Sequence, residues 1–166
     1  MMMNKKTKGE TMKTPTLAAF KLWAKVNKEL ALMVCKAQAQ AELVREHVDS
    51  YTQPIFETYG FKVDADITKG MTDYGRPLDK PSDLYLTDDP RVTEYYAACD
   101  KAHKEQGYDV QAGYCPALVA EHELIKIQNQ LLESGAKLMG IEDIPVYGKN
   151  RVDMLKLLIG ACTAKQ

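Results

Sequence analysis

Residues 14–55 read TPTLAAFKLWAKVNKELALMVCKAQAQAELVREHVDSYTQPI, with no glycine and no proline between Pro15 and Pro54. Apolar or small residues recur as Phe20, Trp23, Asn27, Leu30, Val34, Ala37, Ala41, Val44, Val48, Tyr51 and Ile55, in steps that alternate three and four. That is the heptad period, and it predicts one long helix with a single continuous seam. Thr14 and Pro15 supply a cap and a pre-set first turn. The residue before a proline avoids helical geometry, which places the end near Ser50 to Gln53. At ~1.5 Å per residue such a helix is a rod of about 50 Å.

Outward from the rod, Phe61-Lys62-Val63-Asp64-Ala65-Asp66-Ile67 alternates apolar and polar, the period of a half-buried strand. A strand needs a partner, and Leu84-Tyr85-Leu86 is the nearest candidate for a small hairpin. Thr68 to Ser82 lies between them with Gly70, Gly75, Pro77 and Pro81. A loop of that length in a small domain is often functional. Asp73, Tyr74, Arg76, Asp79 and Lys80 make it a candidate partner-binding surface. Further helices are predicted from Asp89-Pro90 to Gly107, from Cys115-Pro116 to Ser134-Gly135, and from Asn150 to the C-terminus, where Asn150 and Asp153 resemble a capping box. The expected fold is mainly α: a bundle of about four helices with a long N-terminal helix and a small β-like hairpin or loop excursion. Residues 1–13 carry Lys5, Lys6, Lys8 and Lys13 without apolar periodicity and read as a disordered basic tail, with Met12 an alternative start. Residues 14–166 read as a single helical domain.

The 166 residues are 45% hydrophobic and 27% charged, with a formal net charge of −1. This composition is globular, and the balance gives no global attraction to nucleic acid or anionic lipid. No apolar run is long enough to span a bilayer and no signal peptide precedes the rod, so the expected location is the cytoplasm, with no membrane partner. The four cysteines form no C-x-x-C pair and are expected to be reduced.

No phosphate-binding, dinucleotide-binding, metalloprotease, EF-hand or nucleophile-elbow motif occurs. Candidate chemistry comes instead from helical wheels. On the 116–134 helix, Ala117, Ala120, Leu124, Ile127 and Leu131 form one side of an apolar arc and Leu118, Ile125 and Leu132 the other. Glu121 and Gln128 fall between them, two turns apart. A carboxylate there loses solvation, which raises its pKa unless a cation or donors meet it. Val92, Tyr95, Tyr96, Cys99 and Ala102 form the arc of the preceding helix, with His103 inside it. His103, Glu121 and Gln128 are therefore the candidate catalytic set, with Tyr95 or Cys99 nearby. The plainer reading is a structural hydrogen-bond network. Cys99, His103, Cys115 and His122 are residue types that zinc accepts, although the rise between Cys115 and His122 is about 10 Å. The expectation is no cofactor, with zinc the one alternative. Cys115 at a helix start is also a candidate nucleophile, with His103 or His122 as base.

The seam points to association. An asparagine at an a-type position fixes register in coiled coils, and alanines let helices approach closely. Trp23, Asn27, Leu30, Val34, Ala37, Ala41 and Val44 are the expected self-association residues. The leading expectation is a small interaction protein, homo-oligomeric and binding a protein partner. A small enzyme built on Glu121, His103 and Gln128 is the alternative. Nucleic-acid binding comes third, since Glu29, Glu42, Glu46 and Asp49 offset the lysines of the rod.

Overall fold

The rod is irregular at one residue, Asn27, while i→i−4 backbone bonds continue through it from Trp23 to Ala31. In the computed structural model, which describes residues 14–71 and 74–164, the first segment is two helices, α1 (Leu17–Val26) and α2 (Lys28–Tyr59). Asn27 has φ −96° and ψ 8°, and its backbone N–H and its Nδ2 both donate to the Trp23 carbonyl at 2.9 Å. A short amide that competes for backbone acceptors loosens the helix at its own position. The cap is Thr16, whose Oγ1 accepts from Ala19 N–H at 3.2 Å, two residues past the expected Thr14. α2 also passes through Pro54 rather than ending before it. Pro54 is exposed, and the turn it sits in is anchored by Phe56, at 2% exposure. Gly60, at φ +61°, then ends the helix in a backbone region that favours glycine.

The predicted strand is not formed. Phe61 and Val63 point inward and Lys62 outward, as the alternation requires, but Asp64 stops the run. Its carboxylate accepts from Asp66 N–H at 2.8 Å and its carbonyl from Thr68 N–H at 3.1 Å, closing a turn. What remains is a single antiparallel bridge, Lys62 to Pro77, flanked by Val63–Arg76 and Leu78–Phe61 backbone bonds of 2.9 Å. The expected partner, Leu84 to Leu86, lies instead in a 3-10 helix, Pro81–Leu86, and gives only the Leu86 carbonyl to Asp64 N–H at 2.8 Å.

Three more helices follow: α3 (Val92–Glu105), α4 (Pro116–Met139) and α5 (Gly148–Thr163). α4 continues through Gly135 because that glycine is a packing residue: a Cβ there would lie 2.6 Å from both Cδ atoms of Leu158. α5 starts at Gly148, so Asn150 lies inside the helix and not at its cap. The fold is mainly α, with five α-helices and one 3-10 helix among the described residues. No helix among them is long and apolar enough to cross a membrane. The expected tail, residues 1–13, lies outside the described residues, as does Asp73.

The chain divides into two compact units. The terminal unit joins the chain up to Ala39 with His122 onward, and the central unit is Gln40–Glu121. The terminal unit packs Ala31, Val34, Leu131, Leu132, Leu155 and Leu158 into an aliphatic core, with Leu30 against it. Trp23 belongs to this core, and its Nε1 donates to Ser134 Oγ at 2.9 Å, which in turn donates to Asn27 Oδ1 at 3.1 Å. The central unit packs Phe56, Phe61, Val63, Leu78, Leu84 and Tyr95 together. Tyr59 stacks on Phe61 with ring centroids 5.3 Å apart, and the Arg91 guanidinium lies over both rings.

Candidate functional site

α3 carries the central unit's chemistry because its spacing puts Tyr95, Cys99 and His103 on one row, with Tyr96 and Asp100 on the next. Together with Val48, Asp49 and Thr52 of α2 and the Gly113–Cys115 turn, these rows line a cavity of about 560 Å³. Pro81 and Leu118 complete its wall. The turn is held by Asp100, whose carboxylate accepts from Gly113 N–H at 3.1 and 3.2 Å. Tyr95 is buried, whereas Tyr96 and Tyr114 are more than half exposed at the mouth. Among the described residues, neither lysine nor arginine lines the cavity.

Burial sets the protonation states. His103 is 4% exposed, and burial pulls its pKa below 6.5, with Asp100 opposing in part. The imidazole is therefore neutral near pH 7. Its Nδ1 is hydrogen-bonded to the Tyr51 hydroxyl at 2.5 Å. Burial, and then the neighbouring Tyr108, Cys115 and Cys99, raise the Tyr51 phenol to about 12. Burial likewise raises the Cys99 thiol, so it stays protonated and is a poor nucleophile. The Tyr95 phenol is raised by burial, then by its hydrogen bond to Cys99.

His103, Cys99, Tyr95 and Cys115 are brought together around the cavity. Glu121 and Gln128 are engaged elsewhere. Glu121 pairs with Arg45 Nη2 at 2.8 Å, and its side chain is 43% exposed. The wheel placed it within an apolar arc, but Leu118 and Ile125 on one flank of that arc are 51% and 38% exposed. Glu121 is thus half-buried beside a cation rather than enclosed by apolar side chains. Gln128 accepts from Arg151 Nη2 at 3.0 Å. The three candidate catalytic groups thus have three separate partners.

No three His, Cys, Asp or Glu residues among those described are placed to hold a metal ion. Cys99, His103 and Cys115 share the cavity wall, and His122 is exposed and takes no part in it. On the loop, Tyr74, Arg76, Asp79 and Lys80 are all exposed. Their backbone is tied down, with the Asp79 carbonyl accepting from Gln53 Nε2 at 3.0 Å. Of the expected self-association residues, Trp23 and Val34 are buried in the terminal unit's own core and Leu30 packs on it. Asn27, Ala37, Ala41 and Val44 are half-buried.

Sequence reasoning missed Asp49, Thr52, Asp100, Gly113 and Tyr114. Asp100 follows Cys99 in sequence but lies about 100° round the helix from it, off the centre of the apolar arc, and Gly113 and Tyr114 lie in a turn with no motif. The chain matches no family model, no curated protein and no solved structure.

Proposed function

We propose that the protein binds a compact, largely apolar organic cation in the cavity of its central unit. The observation that carries this reading is the composition of the wall. Three tyrosine rings and two aspartates surround a cavity of about 560 Å³ that, among the described residues, no lysine or arginine lines. A cavity of this size with apolar walls and a few polar groups suits a small organic ligand. Aromatic faces attract ammonium groups, and the aspartates add charge of the right sign. A neutral His103 adds no opposing charge. Titration calorimetry of the full chain with benzyltrimethylammonium, benzyl alcohol and benzoate tests the reading. The expected order is cation, then neutral, then anion, with at least about tenfold between the ends of the series. Absence of saturable cation binding, or equal binding of benzoate, would overturn it.

A second reading, association with another copy of this chain, rests on α1. The core takes Trp23 and Ala24, yet Leu22 and Val26 on another face of the same short helix are 65% and 71% exposed. Ala19 is also exposed, and Ala19, Leu22 and Val26 step by three and four. A helix that is apolar on two faces is normally covered on both. Light scattering on the eluting full chain tests this: a dimer that Leu22→Glu with Val26→Glu converts to monomer supports it, and a monomer throughout removes it.

A further inference from the structure

Arg151 is 9% exposed and no carboxylate lies within 4 Å of it among the described residues. Its Nη1 donates to Asn129 Oδ1 at 2.9 Å and to the Pro145 carbonyl at 3.3 Å, and its Nη2 donates to Gln128 Oε1 at 3.0 Å. All three acceptors are neutral. A guanidinium has five N–H donors and stays charged, so about two donors remain open to solvent or a ligand and no carboxylate is in contact with it. A buried cation without a counter-charge is unfavourable, and burial here disfavours its charged form. Its position adds to the deficit, because the first turn of α5 contains no acidic residue and Tyr147 gives no side-chain cap.

The side chain lines a cavity of about 220 Å³ within the terminal unit. The spacing Ile125, Asn129, Glu133 brings one face of α4 to the same cavity, and Ile144, Pro145 and Val146 form an apolar wall. Glu133 is exposed and makes no ion pair with Arg151 or with any other described residue. One cavity therefore presents an unmatched cation, an unmatched anion and an aliphatic surface. We propose that this cavity binds a free α-amino acid with an aliphatic side chain. Its carboxylate meets the spare donors of Arg151, its ammonium meets Glu133, and its side chain packs on Ile125, Ile144 and Val146. A simple anion would satisfy Arg151 but would face Glu133, and a simple amine would do the reverse.

The full chain is titrated calorimetrically with L-leucine at neutral pH. Saturable binding is expected, with 4-methylpentanoate (no ammonium) and leucinamide (no carboxylate) each weaker by roughly tenfold or more, because each leaves one charged group unmatched. Glycine, without the aliphatic side chain, is expected to bind weakest. Glu133→Gln alters an exposed residue that makes no hydrogen bond or ion pair among the described residues, so folding is retained. It should weaken L-leucine and leave 4-methylpentanoate no weaker. Failure of leucine, isoleucine and valine to bind saturably would overturn the proposal, as would a Glu133→Gln protein with unchanged leucine affinity.

Discussion

The terminal unit and the central unit solve the same packing problem with different side chains. Around Leu158 the core is mostly aliphatic, with Trp23 its one buried ring, and lies on helices, and it closes tightly enough that α4 needs a glycine where Leu158 seats. Around Phe61 the core is aromatic and draws on helix ends, a single bridge and a 3-10 turn. Leucines on helices interdigitate in rows, whereas the rings of the central unit meet both stacked and edge to face. The larger cavity is lined partly by one of these aromatic residues, Tyr95. Shape specificity is therefore expected to be strictest for rings in the central unit and for volume in the terminal unit.

Phe61→Ala tests the first half of that contrast and carries the largest expected effect. Phe61 is 2% exposed and touches the rings of Phe56, Tyr59 and Tyr95. Truncation should cost about 3–5 kcal/mol in denaturant unfolding followed by circular dichroism. Phe61→Leu keeps most of the apolar surface and loses the ring geometry, worth about 0.5–1.5 kcal/mol per aromatic pair, together with the Arg91 guanidinium contact. If the two variants lost equal stability, ring geometry would not be what organises this core.

Gly135→Ala tests the second half. Alanine is a better helix former than glycine by ~1 kcal/mol, but its Cβ would overlap Leu158, and overpacking costs about 1–3 kcal/mol. The net expectation is a loss of about 1 kcal/mol, read from the fluorescence of Trp23, the chain's one tryptophan, which sits in the same core. In a Leu158→Ala background the overlap is gone, and the same substitution should become stabilising. A sign that did not reverse would mean that Gly135 serves something other than the seat of Leu158.

Much of this was legible in the chain. The seam from Phe20 to Ile55 contains only residues that are buried or half-buried, so periodicity found the inward face correctly. Periodicity cannot say what covers a face, and Trp23, Leu30 and Val34 turned out to be covered by the chain's own α4 and α5 residues. The breaks and continuations depended on contacts from far along the sequence. Gly135 reads as a helix stop until Leu158 is seen beside it, and Pro54 reads as one until Phe56 is seen buried. For the site, the α3 wheel already grouped Tyr95, Tyr96, Cys99 and His103. It missed Tyr114 and Gly113, because a turn without a motif leaves no period to read.

His103 gives a pH test of the central unit. Its folded pKa lies below the unfolded value of 6.5, so the neutral form is the one the fold accepts. The contribution is fully present above that value. It is lost as pH falls from there towards the folded pKa, because only the unfolded chain then takes up the proton. Thermal midpoints should decline across that window, and His103→Gln, uncharged throughout, should flatten the decline. A cation held in the cavity should also bind less tightly once His103 is protonated, whereas a leucine site at Arg151 should not respond to His103→Gln.

The smallest expected effect belongs to Glu121, the carboxylate that helical periodicity singled out. Its pair with Arg45 is a single contact between side chains that are 43% and 54% exposed, and solvent screens it. Exposed pairs of this kind contribute about 0.2–1 kcal/mol, so Glu121→Gln should shift stability by less than about 1 kcal/mol and should lose part of even that in high salt. The same substitution should leave cation binding in the central unit unchanged, since Glu121 is not among the residues lining that cavity. A large loss of binding in Glu121→Gln would mean that α4 presents its carboxylate to the ligand after all, and the wheel would have been the better guide than the geometry of the folded chain.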